Sequence, residues 1–122
     1  QYLTRFTEFT DRVLPPVIEP VVETYPRAMF CTAVDRNGYL PTHNRRYSQP
    51  QGTDIDWNAA NSRNRRKFDD EVGLKAARNQ TPFLVQSYRR DMGRGRHVLI
   101  LDVSAPITVK GRPWGAVRLG YI

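Results

Sequence analysis

The chain has 122 residues, with 19 Lys and Arg against 12 Asp and Glu, a net charge of +7, 39% apolar and 25% charged residues, and one cysteine. That length suits one domain, 1–122, with a single core and is too short for two independent ones, and no run approaches the roughly 18–20 apolar residues a membrane span needs. A lone Cys31 excludes an intramolecular disulfide, and a start at Gln1 with no Met and no charged-then-apolar leader reads as a piece of a longer protein.

In chain order, Leu3, Phe6, Phe9 and Val13 recur at helical spacing, and Val17, Ile18, Val21, Val22 and Tyr25 continue the period after Pro15-Pro16. Residues 1–26 therefore predict a long N-terminal helix, kinked at the proline pair, with Pro16 starting the second half and Pro20 in its first turn or at a kink. An apolar stripe longer than one core needs also predicts a homodimer contact along this helix. Ala28 to Asp35 reads as a largely buried strand, with Cys31 a small buried hydrophobe, and Asn37-Gly38 as a hairpin turn because both residues tolerate positive φ. Tyr39 to His43 is then the returning strand. Residues 44–80 turn polar and helical, with a Gln-Pro-Gln-Gly loop and short helices expected around Trp57 to Phe68 and Glu71 to Arg78. Phe83 to Met92, His97 to Val109 and Pro113 to Ile122 predict three further strands, reversed at Gly93-Arg94-Gly95 and Lys110-Gly111-Arg112. The expected fold class is α+β: a five-stranded antiparallel sheet with a helical insert covering one face.

Charge is unevenly spread. Residues 1–34 hold three basic and four acidic side chains, residues 35–71 seven and six, and residues 72–122 nine and two. A basic surface of this kind meets nucleic acid, an acidic protein, anionic lipid or a small anion, and charge alone does not separate them.

Four blocks carry a more specific signal: DRNGYLPTHN at 35–44, WNAANSRNRRKFDD at 57–70, PFLVQSYRRDMG at 82–93 and DVSAPITVKGRPWGAVRLGY at 102–121. In that order they resemble the sensor domain of bacterial methyl-accepting chemotaxis proteins, over nearly the whole chain from Tyr2. The resemblance implies a PAS-like, single-Cache fold that binds a small molecule and conveys occupancy to a coiled-coil module controlling a histidine kinase. It implies attachment to an inner-membrane chemoreceptor, with the cytoplasmic side favoured over the periplasmic. Some relatives carry covalent haem through a CxxCH motif; this chain lacks it, and no cofactor is expected.

The candidate ligand-binding residues come from two elements. On a helix, Trp57, Asn61 and Asn64 share one face, and Asn58, Ser62 and Arg65 the adjacent one. Arg63 and Arg66 are the best candidates to hold a ligand carboxylate, because a guanidinium fork matches it bidentately; each alternatively pairs with Asp69, Asp70 or Glu71. On the strand from Phe83, alternation puts Gln86, Tyr88 and Arg90 in one polar stripe with Leu84, able to supply the convergent polar groups of a pocket. Asp102, an acid inside VLILDVSAPI, needs a partner if buried, and Tyr88 or Arg90 on the neighbouring strand is the expected one. His43 reads as a hydrogen-bonding ligand contact at a strand end. Tyr39 and Tyr47 cap a pocket or line its rim, and Trp114 belongs to core or interface.

Three function classes follow. The first is a sensor binding a small organic anion such as a carboxylate, with an amino acid next because Asp102 could accept an ammonium group. The second is a basic nucleic-acid-binding module, favoured by charge and by Gly93-Arg94-Gly95-Arg96 but lacking a stacking pattern of strand aromatics. The third is an enzyme, for which GxSxG, P-loop, HExxH and paired-Cys motifs are all missing. Two His and one Cys far apart in sequence also argue against a metal site.

Overall fold

The computed structural model describes residues 1–122. The helical period at the N-terminus produces α1 (Thr7–Val13) and α2 (Pro15–Thr24), which meet at Leu14. Leu14 keeps helical angles, φ −77° and ψ −43°, so the proline pair divides the helix without ending it. Its N–H still bonds Thr10 O at 2.9 Å, while Pro15 and Pro16 have no N–H to donate.

The main sheet is antiparallel, in the order β1 (Ala28–Asp35), β6 (Arg112–Tyr121), β5 (His97–Val109), β4 (Leu84–Asp91). It has four strands where five were expected. The Asn37-Gly38 turn does form, with Gly38 at φ +78° and its N–H 2.9 Å from Asp35 O. The chain does not return along β1, because the Asp35 carboxylate takes the N–H groups of Asn37 and Tyr39 at 2.9 and 3.0 Å. Pro41 then has no donor for a ladder. Tyr39–Leu40 (β2) pairs instead with Arg66–Lys67 (β3) in a separate two-stranded sheet.

Side chains take over the free edge of β1. Asn44 Oδ1 accepts the Cys31 N–H at 2.8 Å, Thr32 Oγ1 donates to Thr42 O at 2.9 Å, and Arg46 reaches the carbonyls of Ala28 and Met29. Open backbone groups on an edge strand invite pairing with other chains, and here the Cys31 N–H and the Ala28 and Met29 carbonyls are taken up by side chains. Asn44 is itself fixed by Glu19 of α2, at 2.6 Å.

The insert differs from the expected helices in one respect that shapes the site. Asp54 caps α3 (Ile55–Asn61) by accepting from the N–H groups of Asp56 and Trp57. The helix then stops, and residues 62–67 form a ribbon that turns at Asn64-Arg65 before β3: Arg63 N bonds Tyr47 O and Arg65 N bonds Leu40 O, both at 2.7 Å. Asn64 and Arg65 therefore do not share helix faces with Trp57 and Asn58, contrary to the helical expectation. After this ribbon, α4 (Glu71–Ala77) lies over the sheet, and Gln86 Nε2 bonds Val72 O at 3.1 Å.

Alternation along β4 is as expected, with Leu84, Gln86, Tyr88 and Arg90 turned inward and Val85, Ser87 and Arg89 outward. Phe30, Ile100 and Tyr47 form one part of the core and Val34, Leu40 and Ala77 another. A polar layer lies between these apolar clusters.

Candidate anion-binding cleft

That polar layer surrounds a cleft of about 240 Å³ between the inner face of the sheet and the ribbon carrying Arg63 and Arg66. Five arginines line it, Arg63, Arg66, Arg89, Arg90 and Arg118, together with two carboxylates, Asp70 and Asp91. The arginines arrive from three separate elements, two from the ribbon, two from β4 and one from β6. Inward alternation places Arg90 and Arg118; the end of α3 at Asn61 places the ribbon pair.

Arg90 is 1% exposed, the largest of the fully buried side chains. Its guanidinium carbon lies 4.2 Å from the Tyr47 ring centroid and 5.2 Å from that of Phe30, so its two aromatic neighbours supply π faces. Nε and Nη2 are buried with no hydrogen-bond partner. Arg63 makes one bond, from Nη1 to Ala59 O at 2.7 Å, and shares the Phe68 ring with Arg66, each 5.1 Å from the centroid. Burial and then the Arg90 and Arg66 charges push Arg63 down to about 9, and burial pushes Arg66 and Arg90 down as well. Guanidinium groups keep their protons at neutral pH, so five lining arginines stand against the carboxylates of Asp70 and Asp91 and the cleft carries an excess of positive charge.

Arg118 is the exception. Its Nε and Nη2 lie 2.9 and 2.8 Å from Asp102 Oδ2, within a pair that is almost wholly buried. The sequence pointed to Tyr88 or Arg90 as the partner of Asp102. Register explains the difference: Asp102 stands opposite Gln86 on β4 and Gly120 on β6, so Arg118, two residues before Gly120 on the same face, reaches it diagonally, while the Phe30 ring fills the space beside Gly120. Burial pushes the Asp102 carboxyl up and Arg118 pulls it down. Tyr88 lies beneath Arg118, 5.8 Å from ring centroid to guanidinium, and burial raises its hydroxyl so that it stays protonated.

His43 is buried beside Phe30 and Tyr47, with ring centroids 5.8 and 5.1 Å away. Its Nδ1 accepts the Asn44 N–H at 2.7 Å, which leaves the ring proton on Nε2. Burial first, then Arg90, Arg63 and Arg46, hold it well below the usual histidine range, so it is a neutral donor.

Of the candidates read from sequence, His43, Arg63, Arg66, Tyr88 and Arg90 come together around the cleft, and Asp102 holds Arg118 behind it. Gln86 is spent on the Val72 carbonyl. Trp57 and Asn61 do not reach the cleft; they border a different depression with Met92, Gly93 and Arg94, and Trp57 is exposed. Tyr47, read as a cap or rim of a pocket, packs on Arg90 instead, and Arg118, Phe30 and Phe68 were not singled out as site residues. Arg118 was findable as the basic residue of the alternating run WGAVRLGY, whereas the role of Phe68 depends on a ribbon that no local pattern announced.

No three His, Cys, Asp or Glu side chains cluster as metal ligands. No helix is long and apolar enough to cross a membrane. The chain matches no protein-family model, no curated protein and no solved structure.

Proposed function

We propose that the chain is a PAS-like, Cache-type sensor domain of a bacterial chemoreceptor, and that it binds a small organic anion, a carboxylate, between sheet and insert. The observation that carries the reading is Arg90: a buried guanidinium with two unpaired donors, facing a cleft that two further guanidinium groups enter. Leaving such donors unsatisfied costs about 1–3 kcal/mol each, and a bidentate carboxylate is the group that fits them. His43 Nε2 and the Tyr88 hydroxyl are neutral donors suited to the same ligand. A volume of about 240 Å³ suits a molecule of a few carbons.

The PAS-like assignment rests on the order of helix, strand, short strand, insert and three-strand meander, and on the four sequence blocks described above. In this reading β2 is the fifth strand, drawn off the sheet to close the cleft. On the same resemblance we place the domain on an inner-membrane receptor, on the cytoplasmic side. Phe9, Val13 and Val17 are exposed along one stripe of α1 and α2, which favours contact with a second copy there. Nucleic acid is the weaker reading, since the buried arginines turn into the cleft and do not form a surface stripe for phosphates.

A thermal-shift screen against short organic acids, amino acids and a DNA duplex, at low and physiological salt, tests this. Saturation to about 100 times Kd should stabilise the fold by roughly 2.7 kcal/mol, with little salt dependence. The Arg63→Ala and Arg66→Ala variants should lose the shift. No shift with any acid, together with a salt-sensitive shift with DNA, would overturn the proposal.

A further inference from the structure

The ribbon that brings Arg63 and Arg66 into the cleft also holds the N-terminus of the chain. Gln1 Nε2 bonds Asn64 Oδ1 at 3.1 Å, Tyr2 N bonds Arg65 O at 2.6 Å, and Lys67 Nζ lies 4.5 Å from the Tyr2 ring centroid. Arg65 Nη2 meets Asp11 Oδ2 of α1 at 2.7 Å. Within five residues, Arg63 and Arg66 thus face the cleft while Asn64, Arg65 and Lys67 hold the N-terminal segment. Arg65 is the pivot, with φ at +60°. That conformation disfavours a residue with a Cβ by about 1–2 kcal/mol and persists only where the surroundings hold it. Here they are the Leu40 carbonyl at its N–H, the Tyr2 N–H at its carbonyl and Asp11 at its side chain.

We propose that this ribbon is a mechanical link by which an anion in the cleft changes the hold on the N-terminal helix, with Arg65 as the positioning residue. The inference rests on the anion-binding reading of the cleft. Arg63 is repelled by Arg90 and Arg66 across the cleft more strongly than Asp91 of β4 attracts it, and the net push is away from β4. An anion between them removes the repulsion and draws Arg63 and Arg66 inward. The backbone between these two residues then settles, and with it the contacts to Gln1, Tyr2 and Asp11. A ligand shifts such an equilibrium only by its preference for one arrangement, and the coupling is reciprocal. Tightening at Tyr2 on binding therefore requires weaker binding when the Asp11 contact is lost.

Hydrogen exchange on the whole 122-residue chain, with succinate as the probe anion, separates the two claims. Saturating succinate should slow exchange at the Tyr2 amide and through α1 by about fivefold or more, the lower end of common coupling strengths. Asp11→Asn should weaken succinate binding by a similar factor. Arg66→Gln without any anion should also slow the Tyr2 amide, because it removes a repelling charge, with the Ile100 amide as an internal check on folding. Arg63→Gln, read in the same way, replaces it if that variant is unstable. Unchanged Tyr2 exchange in the charge-removing variant overturns the link whatever succinate does. Slowing in that variant with no succinate binding to the native chain leaves the link standing and counts against the carboxylate reading. Succinate binding with no change at Tyr2 leaves the sensor reading and removes the link.

Discussion

Replacing Arg90 by Met should make the anion-free protein more stable while abolishing anion binding. Arg90 buries two donors without partners, each costing about 1–3 kcal/mol. Contacts with the Tyr47 and Phe30 rings return about 0.5–2 kcal/mol each, and the aliphatic stem packs in either case. Methionine keeps the stem, fills much of the space and carries no charge. The balance is a gain of roughly 1–2 kcal/mol, in the range seen when buried ionic groups give way to apolar ones. At about 4 °C per kcal/mol for a chain of this size, Tm should rise by roughly 4–8 °C. The assay is thermal unfolding followed by circular dichroism in a buffer free of carboxylate, phosphate and sulfate, repeated with increasing succinate. Native protein should gain Tm with succinate, and the Arg90→Met variant should start higher and stay flat. A variant that melts well below the native protein in anion-free buffer would refute the reasoning, since the guanidinium would then be a structural element whose electrostatic cost is already met within the fold.

Other consequences are smaller in scope. Because His43 is held well below its ordinary range, the native state stays neutral where the unfolded chain takes up a proton, so this contribution is complete above pH about 6.5 and is lost as pH falls toward the native pKa. Unfolding free energies measured between pH 7 and 5.5 should fall with a limiting slope of about 1.4 kcal/mol per pH unit, and His43→Gln should flatten that slope. Arg118→Met should destabilise by about 3–5 kcal/mol in chemical denaturation, because Asp102 is left buried and unpaired, and adding Asp102→Leu should recover much of the loss. Burial and Glu19 push the Cys31 thiol up to about 11, so alkylation in native buffer should be far slower than in denaturant. Gly115→Ala should destabilise by about 1–3 kcal/mol in the same denaturation assay, because its Cβ would overlap the Val34 carbonyl on the adjacent strand.

Elements whose burial pattern is local were legible in the sequence. The strand read as His97 to Val109 and the one read as Ala28 to Asp35 have those bounds in the structure, since continuous apolar runs between turn residues leave few alternatives. The proline-divided helix followed from period and from proline chemistry together. What failed was pairing. Asn37-Gly38 made its turn, but whether the next residues bond back to β1 depends on competition from the Asp35 carboxylate and from Asn44, Thr42 and Arg46 along the strand edge. Such competition is settled by residues distant in sequence, and a turn signal carries nothing about them.

The site shows the same division. Tyr88 and Arg90 were found because strand alternation is a strict rule of period two, which fixes a face once a single inward residue is known. Arg63 and Arg66 were found for a different reason: guanidinium chemistry marked them even though the helix on which they were placed ends at Asn61. Trp57 and Asn61 were assigned through that same helix and fell outside the cleft. The turn within the ribbon changes the meaning of their neighbours as well. On a helix, residues 64 and 65 would have been further candidates for the ligand or for solvent; in the ribbon, the turn at Asn64-Arg65 sets both against Gln1, Tyr2 and Asp11, while Arg63 and Arg66 on either side of it reach the cleft. The break of the helix at Asn61 is thus what lets one short stretch of chain present charge to the cleft on one side and grip the N-terminal helix on the other.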